Sequence, residues 1–199
     1  MRFYMEKLDI NFELPIEALE EKTVSSAPIF DGKVLHVRLD EISLPDGQSA
    51  TREYCHHNGA VCVIPLTDKG EVICVRQYRY PVADVLLEIP AGKLDYKGED
   101  PESAARRELR EETGATCREL IYLGKYLGSP AILDECIHMY LAKGLEFGET
   151  DFDDDEFLET VRIPLDELVD MTMRGEVPDG KTQIAALRAY KMIKDGMPI

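Results

Sequence analysis

The pattern of apolar and polar residues predicts that the chain begins with a small antiparallel sheet. Three stretches alternate in part between apolar and polar side chains: residues 23–29, 34–44 and 49–57. Turn-forming residues separate them, most clearly Pro45-Asp46-Gly47, and short strands joined by such turns are typical of a meander. We therefore predict an N-terminal β lobe. Weaker signals indicate a strand in residues 2–10 and a short helix near residues 16–20.

A different pattern follows from residue 58 onward. Residues 59–66 and 71–77 are apolar at nearly every position, as in strands that are covered on both faces. Further strands are predicted at residues 85–89, 119–127, 135–142 and 158–163. Helices are predicted at residues 165–175 and 181–195, the second with an apolar stripe of Ile184, Leu187, Tyr190 and Ile193. This succession predicts an α/β fold, an α/β/α sandwich around a mixed sheet, with residues 1–57 as the β lobe and 58–199 as the main domain.

One further helix is marked at both of its ends. Asp100 suits the N-cap, and Pro101 suits the first turn, where its missing N–H has no cost. Gly114 suits the left-handed position that closes a helix. A helix between these residues, entered from a loop containing Gly92 and Gly98, is therefore predicted.

Three glutamates, Glu108, Glu111 and Glu112, stand on one face of this helix. Like charges at such spacing destabilise an isolated helix by about 0.2–0.5 kcal/mol per pair. A solvated face relieved by the neighbouring arginines is one interpretation. The other is a Mg²⁺ site, because hard oxygen donors below a glycine loop suit a cation that holds substrate phosphates.

The segment RELREETG, residues 107–114, resembles the signature of the Nudix hydrolases. Glu99 precedes Arg107 by the interval of that family, although the spacing from Gly92 to Glu99 is one residue longer. The resemblance implies a Nudix fold, metal ligation by Glu108, Glu112, Glu111 and the carbonyl of Ala91, and an ion pair between Arg107 and Glu99. Mg²⁺ is the expected metal, with Mn²⁺ as the alternative.

A second acidic cluster lies at residues 151–156. Taken alone, such a run indicates a solvated loop. In the ADP-ribose pyrophosphatases, the Nudix members that this chain most resembles, a loop before the corresponding strand holds a catalytic or metal-binding glutamate. The resemblance therefore implies that Glu156 orients or deprotonates the attacking water, with Asp154 as the substitute and Glu111 as a further catalytic candidate.

Candidate substrate-binding residues also follow from the resemblance. Arg79 matches an arginine that contacts the diphosphate, and Glu88 matches a substrate-contacting acid. Arg52 and Glu53 match lobe positions near the substrate. Two more candidates follow: Phe30, which either stacks on adenine or packs in a core, and Pro130, at a position typical of ADP-ribose-cleaving members.

Composition and net charge limit the kinds of molecule that the protein is expected to bind. The formal net charge of −16 argues against nucleic acid and anionic membranes, which are polyanions. Five cysteines without CxxC spacing suggest reduced thiols. The N-terminus has acids where a signal peptide would be apolar, so a cytoplasmic location is expected. The resemblance implies a homodimer built through the lobe.

Together with these observations, the resemblance implies a metal-dependent hydrolase of a small nucleoside diphosphate sugar. The expected reaction converts ADP-ribose to AMP and ribose 5-phosphate. Two alternatives remain open: hydrolysis of another nucleoside diphosphate derivative, such as a GDP-hexose, and a non-catalytic module that binds ADP-ribose.

Overall fold

The computed structural model describes residues 15–150 and 157–197. The described residues form two compact units, which divide between His56 and His57. The strand predicted in residues 2–10 lies outside the described residues. Of the helices that the structure describes, none is long and apolar enough to cross a membrane.

The first unit is an antiparallel meander, as predicted. A 3-10 turn at Ile16–Ala18 precedes three strands in the order β1-β2-β3: β1 (Lys22–Asp31), β2 (His36–Ser43) and β3 (Ser49–His56). All ten residues of β1 are exposed within the chain. Phe30, in this strand, is 57% exposed, so it is not part of a core within the chain itself.

In the second unit, the residues that the structure describes form two sheets and three α-helices. Its strands are β4 (Ala60–Pro65), β5 (Glu71–Arg79), β6 (Asp84–Glu88), β7 (Ala91–Lys93), β8 (Ala115–Tyr126), β9 (Ile137–Phe147) and β10 (Leu158–Pro164). One sheet has the order β7-β4-β9-β8 and the other β10-β5-β6. The first sheet is mixed, because β4 runs parallel to β9 while its other pairs are antiparallel. The helices are α1 (Pro101–Thr113), α2 (Leu165–Met173) and α3 (Gly180–Lys194).

Helices cover both faces of the mixed sheet. Every residue of β4 is buried, and its side chains alternate between two apolar clusters. Val61 and Val63 belong to the cluster that includes Leu109 of α1. Cys62 and Ile64 belong to the cluster that includes residues of α2 and α3. This alternation confirms the α/β/α sandwich and explains the nearly continuous apolar sequence of the strand.

Helix α1 begins and ends where the sequence predicts. The Asp100 carboxylate accepts a hydrogen bond from the Ser103 amide at 3.0 Å, and Pro101 occupies the first turn. Gly114 closes the helix with a φ of 66°. A Cβ at Gly114 would lie 2.5 Å from the carbonyl oxygen of Gly148, so a side chain is excluded there.

The apolar stripe predicted for α3 is wrong in part. The buried residues of this helix are small: Thr182, Ala185, Ala186 and Ala189. Leu187 and Ile193 are 36% and 37% exposed, whereas Ile184 and Tyr190 pack at the margin of the core. Alanines allow the helix backbone to approach the sheet closely, so the contact face follows residue size rather than the largest apolar side chains.

Candidate active site

The loop before α1 is fixed against β4. The Val63 amide donates to the carbonyl of Pro90 at 2.9 Å, and Ala91 pairs with Cys62 across the two strands. Gly92 follows directly. A Cβ on Gly92 would lie 2.0 Å from the carboxyl carbon of Glu108. The glycine therefore makes room for this glutamate, which explains why the loop and the helix carry these two residues together.

The glutamates of α1 are partly or fully buried. Glu108 and Glu112 are 8% and 4% exposed, one helical turn apart, and Glu111 is half-buried. A buried carboxylate is costly unless a cation or hydrogen-bond donors compensate it. Arg107 supplies one such partner, because its Nη1 donates to Glu108 Oε1 at 2.7 Å and to Glu111 Oε2 at 3.1 Å.

Arg107 also faces the loop that contains the extra residue. Its Nη2 lies 3.7 Å from Glu99 Oε1, which is the ion pair expected from the sequence. Glu99 in turn accepts a hydrogen bond from the Asp95 amide at 2.7 Å. Gly98 absorbs the longer spacing in a turn with a φ of 90°. Burial acts to lower the pKa of Arg107, but the charge of Glu108 and the other acids outweighs burial and raises it.

The acids do not converge on one point in this structure. Within residues 15–150 and 157–197, no group of three or more His, Cys, Asp or Glu side chains has an arrangement that could hold a metal ion. Arg107 instead contacts two of the three predicted metal-binding glutamates of α1, Glu108 and Glu111. The donors nevertheless fit a divalent cation chemically. They are hard oxygens, two of the carboxylates are buried, and Gly92 leaves space beside Glu108.

A second group of charges joins β5, β6 and the start of α3. Arg79 donates from Nε and Nη2 to the two oxygens of Glu88, at 2.7 and 2.8 Å. Lys181 contacts Glu88 as well and donates to Asp179 at 3.0 Å. The Glu88 side chain is only 2% exposed. We call these four residues the buried tetrad: Arg79, Glu88, Asp179 and Lys181.

The charges of the buried tetrad favour the ionised forms of Arg79, Glu88 and Lys181. Burial acts to raise the pKa of Glu88, but the Arg79 hydrogen bond and the Lys181 charge outweigh it and lower the pKa. Burial acts to lower the pKa of Lys181, but Asp179 and Glu88 outweigh it and raise the pKa. The pKa of Arg79 is raised, first by its bond to Glu88 and in smaller part by the charge of Glu112. The tetrad thus interacts with an acid of α1.

Backbone contacts connect the tetrad to the loop before α1. The Asp179 carboxylate caps α3 by accepting from the Thr182 amide at 2.9 Å. Thr182 Oγ1 accepts from the amide of Ile89 at 2.9 Å. Since Ile89 lies between Glu88 and the Ala91-Gly92 pair, the N-terminus of α3 fixes the position of this loop.

Both groups of charges line one cavity of about 710 Å³. Residues from the loop and α1 contribute Ala91, Gly92, Arg107, Glu108 and Glu111, and the tetrad contributes Arg79, Asp179 and Lys181. A site of this kind presents carboxylates and backbone oxygens to cations, and a guanidinium and an ammonium group to anions. It is therefore suited to a polyanion that carries a metal ion.

Several residues of the cavity were missed by the sequence reasoning. Asp179 and Lys181 belong to the segment DGKT, in which Asp179 is the N-cap of α3 and Lys181 lies in its first turn. The signal in the sequence was a pair of charged residues at the predicted start of a helix. His57 and Glu135 also line the cavity. The His57 Nδ1 accepts from the Gly59 amide at 3.0 Å and lies 3.6 Å from Glu135 Oε1.

The remaining predicted residues lie elsewhere or outside the described residues. Pro130 lies in an exposed turn between β8 and β9. In the first unit, Arg52 pairs with Glu21 through Nε at 3.0 Å, and Glu53 is exposed on β3 opposite Leu39. The structure does not test whether these side chains contact substrate. Asp154 and Glu156 lie outside the described residues.

Two protein families match the chain. The NUDIX domain matches residues 56–186, and the nucleoside diphosphate sugar hydrolase N-terminal domain matches residues 21–54. The chain belongs to the Nudix family.

Two individual proteins and one solved structure are similar to this chain over most of its length. The ADP-ribose pyrophosphatase of Bacillus subtilis (strain 168) is 40% identical over 184 residues, which cover 92% of this chain and 98% of that protein. The methanol dehydrogenase activator of Bacillus methanolicus is 44% identical over 168 residues, covering 83% and 90%. A crystal structure of an ADP compounds hydrolase has a TM-score of 0.78 at 22% identity and covers 89% of this chain and 97% of that one. The last comparison confirms the fold.

Proposed function

We propose that this protein hydrolyses the diphosphate linkage of ADP-ribose, or of a related nucleoside diphosphate sugar, in a Mg²⁺-dependent reaction, with Mn²⁺ as the alternative metal. The products are AMP and ribose 5-phosphate. One observation carries the proposal: two of the Nudix glutamates, Glu108 and Glu111, line the same cavity as the cations Arg79 and Lys181. The identity with the ADP-ribose pyrophosphatase of Bacillus subtilis supports this choice of substrate.

The proposed metal ligands are Glu108, Glu111, Glu112, Glu156 and the carbonyl of Ala91. A divalent metal held by these residues would supply a nucleophilic water at neutral pH and would neutralise the charge of the leaving phosphate. Glu156 is the proposed base that takes the proton of the attacking water, with Asp154 and Glu111 as the other candidates. The water oxygen bonds to one phosphorus while the bridging P–O bond breaks and its electrons leave with the other phosphate.

The cations of the cavity counteract the repulsion between this acidic protein and a diphosphate. The protein has a net charge of −16, which repels a diphosphate at long range. Arg79 is 40% exposed at its side chain and lines the cavity, so its guanidinium is available to phosphate oxygens. Arginine suits this role because its planar donors match two oxygens of a phosphate at once.

The proposal extends to the N-terminal lobe. We assign residues 1–57 to dimerisation and to part of substrate binding, through Arg52, Glu53 and Phe30, and residues 58–199 to catalysis, with Pro130 near the substrate. The fully exposed β1, with its apolar residues, supports an intermolecular contact. We propose that the protein is a homodimer located in the cytoplasm. Light scattering coupled to gel filtration tests the oligomeric state, and a monomer at micromolar concentration would contradict it.

The assay that tests the function measures AMP release from ADP-ribose in the presence of Mg²⁺. The same assay on a panel including GDP-mannose and a dinucleotide coenzyme separates the substrates. We expect kcat/KM to be greatest for ADP-ribose and to vanish with EDTA. A preference for GDP-mannose would support the GDP-hexose alternative. Binding of ADP-ribose by calorimetry without any hydrolysis in saturating Mg²⁺ would support the non-catalytic module.

A second candidate function comes from the relative in Bacillus methanolicus, whose name is methanol dehydrogenase activator. Its identity of 44% favours testing the same role here. Adding this protein with Mg²⁺ to a methanol dehydrogenase reaction would then raise the rate of alcohol oxidation. No change in that rate would leave hydrolysis as the function.

A further inference from the structure

Lys181 is an unusual residue for a cavity wall, because its ammonium group is buried between two carboxylates. Its side chain is 11% exposed, and its Nζ contacts both Glu88 Oε2 and Asp179 Oδ1. A buried lysine is costly unless it is paired and hydrogen-bonded. We therefore expect the buried charge of Lys181 to have a role that an exposed lysine could not fill.

The contacts of Arg79 indicate the role of the Lys181 charge. Its described hydrogen bonds use Nε and Nη2, both to Glu88. This side-on geometry aims the remaining nitrogen, Nη1, away from Glu88. The orientation of the guanidinium plane therefore depends on the orientation of the Glu88 carboxylate. Lys181 holds one oxygen of that carboxylate, Oε2, which Arg79 also contacts.

We propose that Lys181 is a positioning residue, which fixes the Glu88 carboxylate and thereby orients Arg79 toward the diphosphate of the substrate. Asp179 serves the same arrangement, because it caps α3 and holds the Lys181 ammonium at 3.0 Å. The inference rests on the proposed function, since it assigns to Lys181 a role in binding the substrate of that reaction. It adds a role for the DGKT segment at the start of α3.

The first test compares Lys181→Met with Lys191→Met. Lys191 lies on the same helix but is 72% exposed and pairs with Asp195, so it controls for the loss of a lysine from α3. We expect Lys181→Met to raise KM for ADP-ribose about tenfold, a typical coupling within one hydrogen-bonded network, with kcat changed less than about threefold. Lys191→Met should leave both unchanged. An unchanged KM in Lys181→Met overturns the proposal.

A double variant distinguishes positioning from direct contact with substrate. If Lys181 acts through Glu88, then Glu88→Gln combined with Lys181→Met should have nearly the same KM as Glu88→Gln alone. If Lys181 instead binds phosphate itself, the two effects multiply. Multiplied effects would overturn the positioning role.

A third measurement does not depend on turnover. The Arg79 Nε–H, assigned by its disappearance in Arg79→Lys, should give a slowly exchanging ¹H–¹⁵N signal, because it is bonded to a buried carboxylate. We expect this signal to broaden in Lys181→Met and to persist in Lys191→Met. Its persistence in Lys181→Met would overturn the inference. If the wild-type protein fails to hydrolyse ADP-ribose, the proposed function fails, while this signal still tests Lys181.

Asp179→Asn is the second variant, in case Lys181→Met does not fold. Asparagine retains an N-cap for α3 but removes the charge beside Lys181. We expect a smaller rise in KM and a smaller change in the Arg79 signal. An Asp179→Asn protein that matches wild type in both measurements would contradict the proposed arrangement.

Discussion

Replacing Gly92 by alanine should disable the site while leaving the fold in place. The added Cβ would lie 2.0 Å from the carboxyl carbon and 2.0 and 2.3 Å from the oxygens of Glu108. Since non-bonded carbon atoms rest about 3.5 Å apart, the carboxylate must retreat by about 1.5 Å. Gly92 does not have a positive φ, so the alanine backbone itself is not strained.

The expected loss of activity and of stability follows from this displacement of the Glu108 carboxylate. A misplacement of about 1 Å at a reacting centre costs about a hundredfold in rate, and we expect at least that loss in kcat/KM for AMP release. Overpacking of this size reduces the free energy of unfolding by about 1–3 kcal/mol, which urea denaturation measures. Gly128→Ala is the control, because its Cβ would meet no atom closer than 3.8 Å. Wild-type kcat/KM in Gly92→Ala would refute the reasoning.

Two further predictions concern buried ionisable groups. The pKa of Glu88 is lowered in the folded protein, so its stabilisation is complete above the unfolded carboxyl value of about 4.3 and is lost as pH falls through the lower folded value. Urea denaturation from pH 7 to 3 should therefore show the stability advantage over Glu88→Gln shrinking in acid, and a constant difference would contradict it. Burial raises the pKa of Cys62 and of Cys74 to about 12, so neither thiol should react with DTNB at pH 8 until the protein unfolds. Rapid labelling of either thiol in the folded protein would show that burial does not protect it.

Local signals in the sequence were sufficient for helix α1 and for most of the strands. They missed β7 (Ala91–Lys93), whose residues were predicted as part of the loop before α1. Asp100 and Gly114 mark the ends of α1 through backbone rules that act within a few residues. The alternation along β4 is hidden in a continuous apolar run, yet such a run itself indicates a strand covered on both faces.

The buried tetrad could not be predicted in the same way. Lys181 contacts Glu88 across a separation of 93 residues, and tertiary packing, which includes that of α3 against β4, β8 and β9, brings the two together. The predicted face of α3 was also wrong in part, because helical periodicity favours large apolar residues. The close contact with the sheet instead selects alanines such as Ala185 and Ala186.

Arg107 shows a third limit of sequence reasoning. Its expected pairing with Glu99 is present at 3.7 Å. Relief of the glutamates by neighbouring arginines was one interpretation of the sequence. It did not single out Arg107 for the closer contacts with Glu108 and Glu111, because spacing along a helix gives the face of a residue but not its side-chain rotamer. This arginine compensates part of the negative charge of the site.

The central claim is that the glutamates of α1 support hydrolysis of a diphosphate. The most direct measurement is kcat for AMP release by Glu112→Gln in saturating Mg²⁺, beside Glu102→Gln, an exposed glutamate of the same helix that pairs with Arg106. Loss of about 4 kcal/mol of transition-state stabilisation would lower kcat about a thousandfold in Glu112→Gln, and Glu102→Gln should match wild type. Wild-type turnover by a folded Glu112→Gln protein would contradict the account.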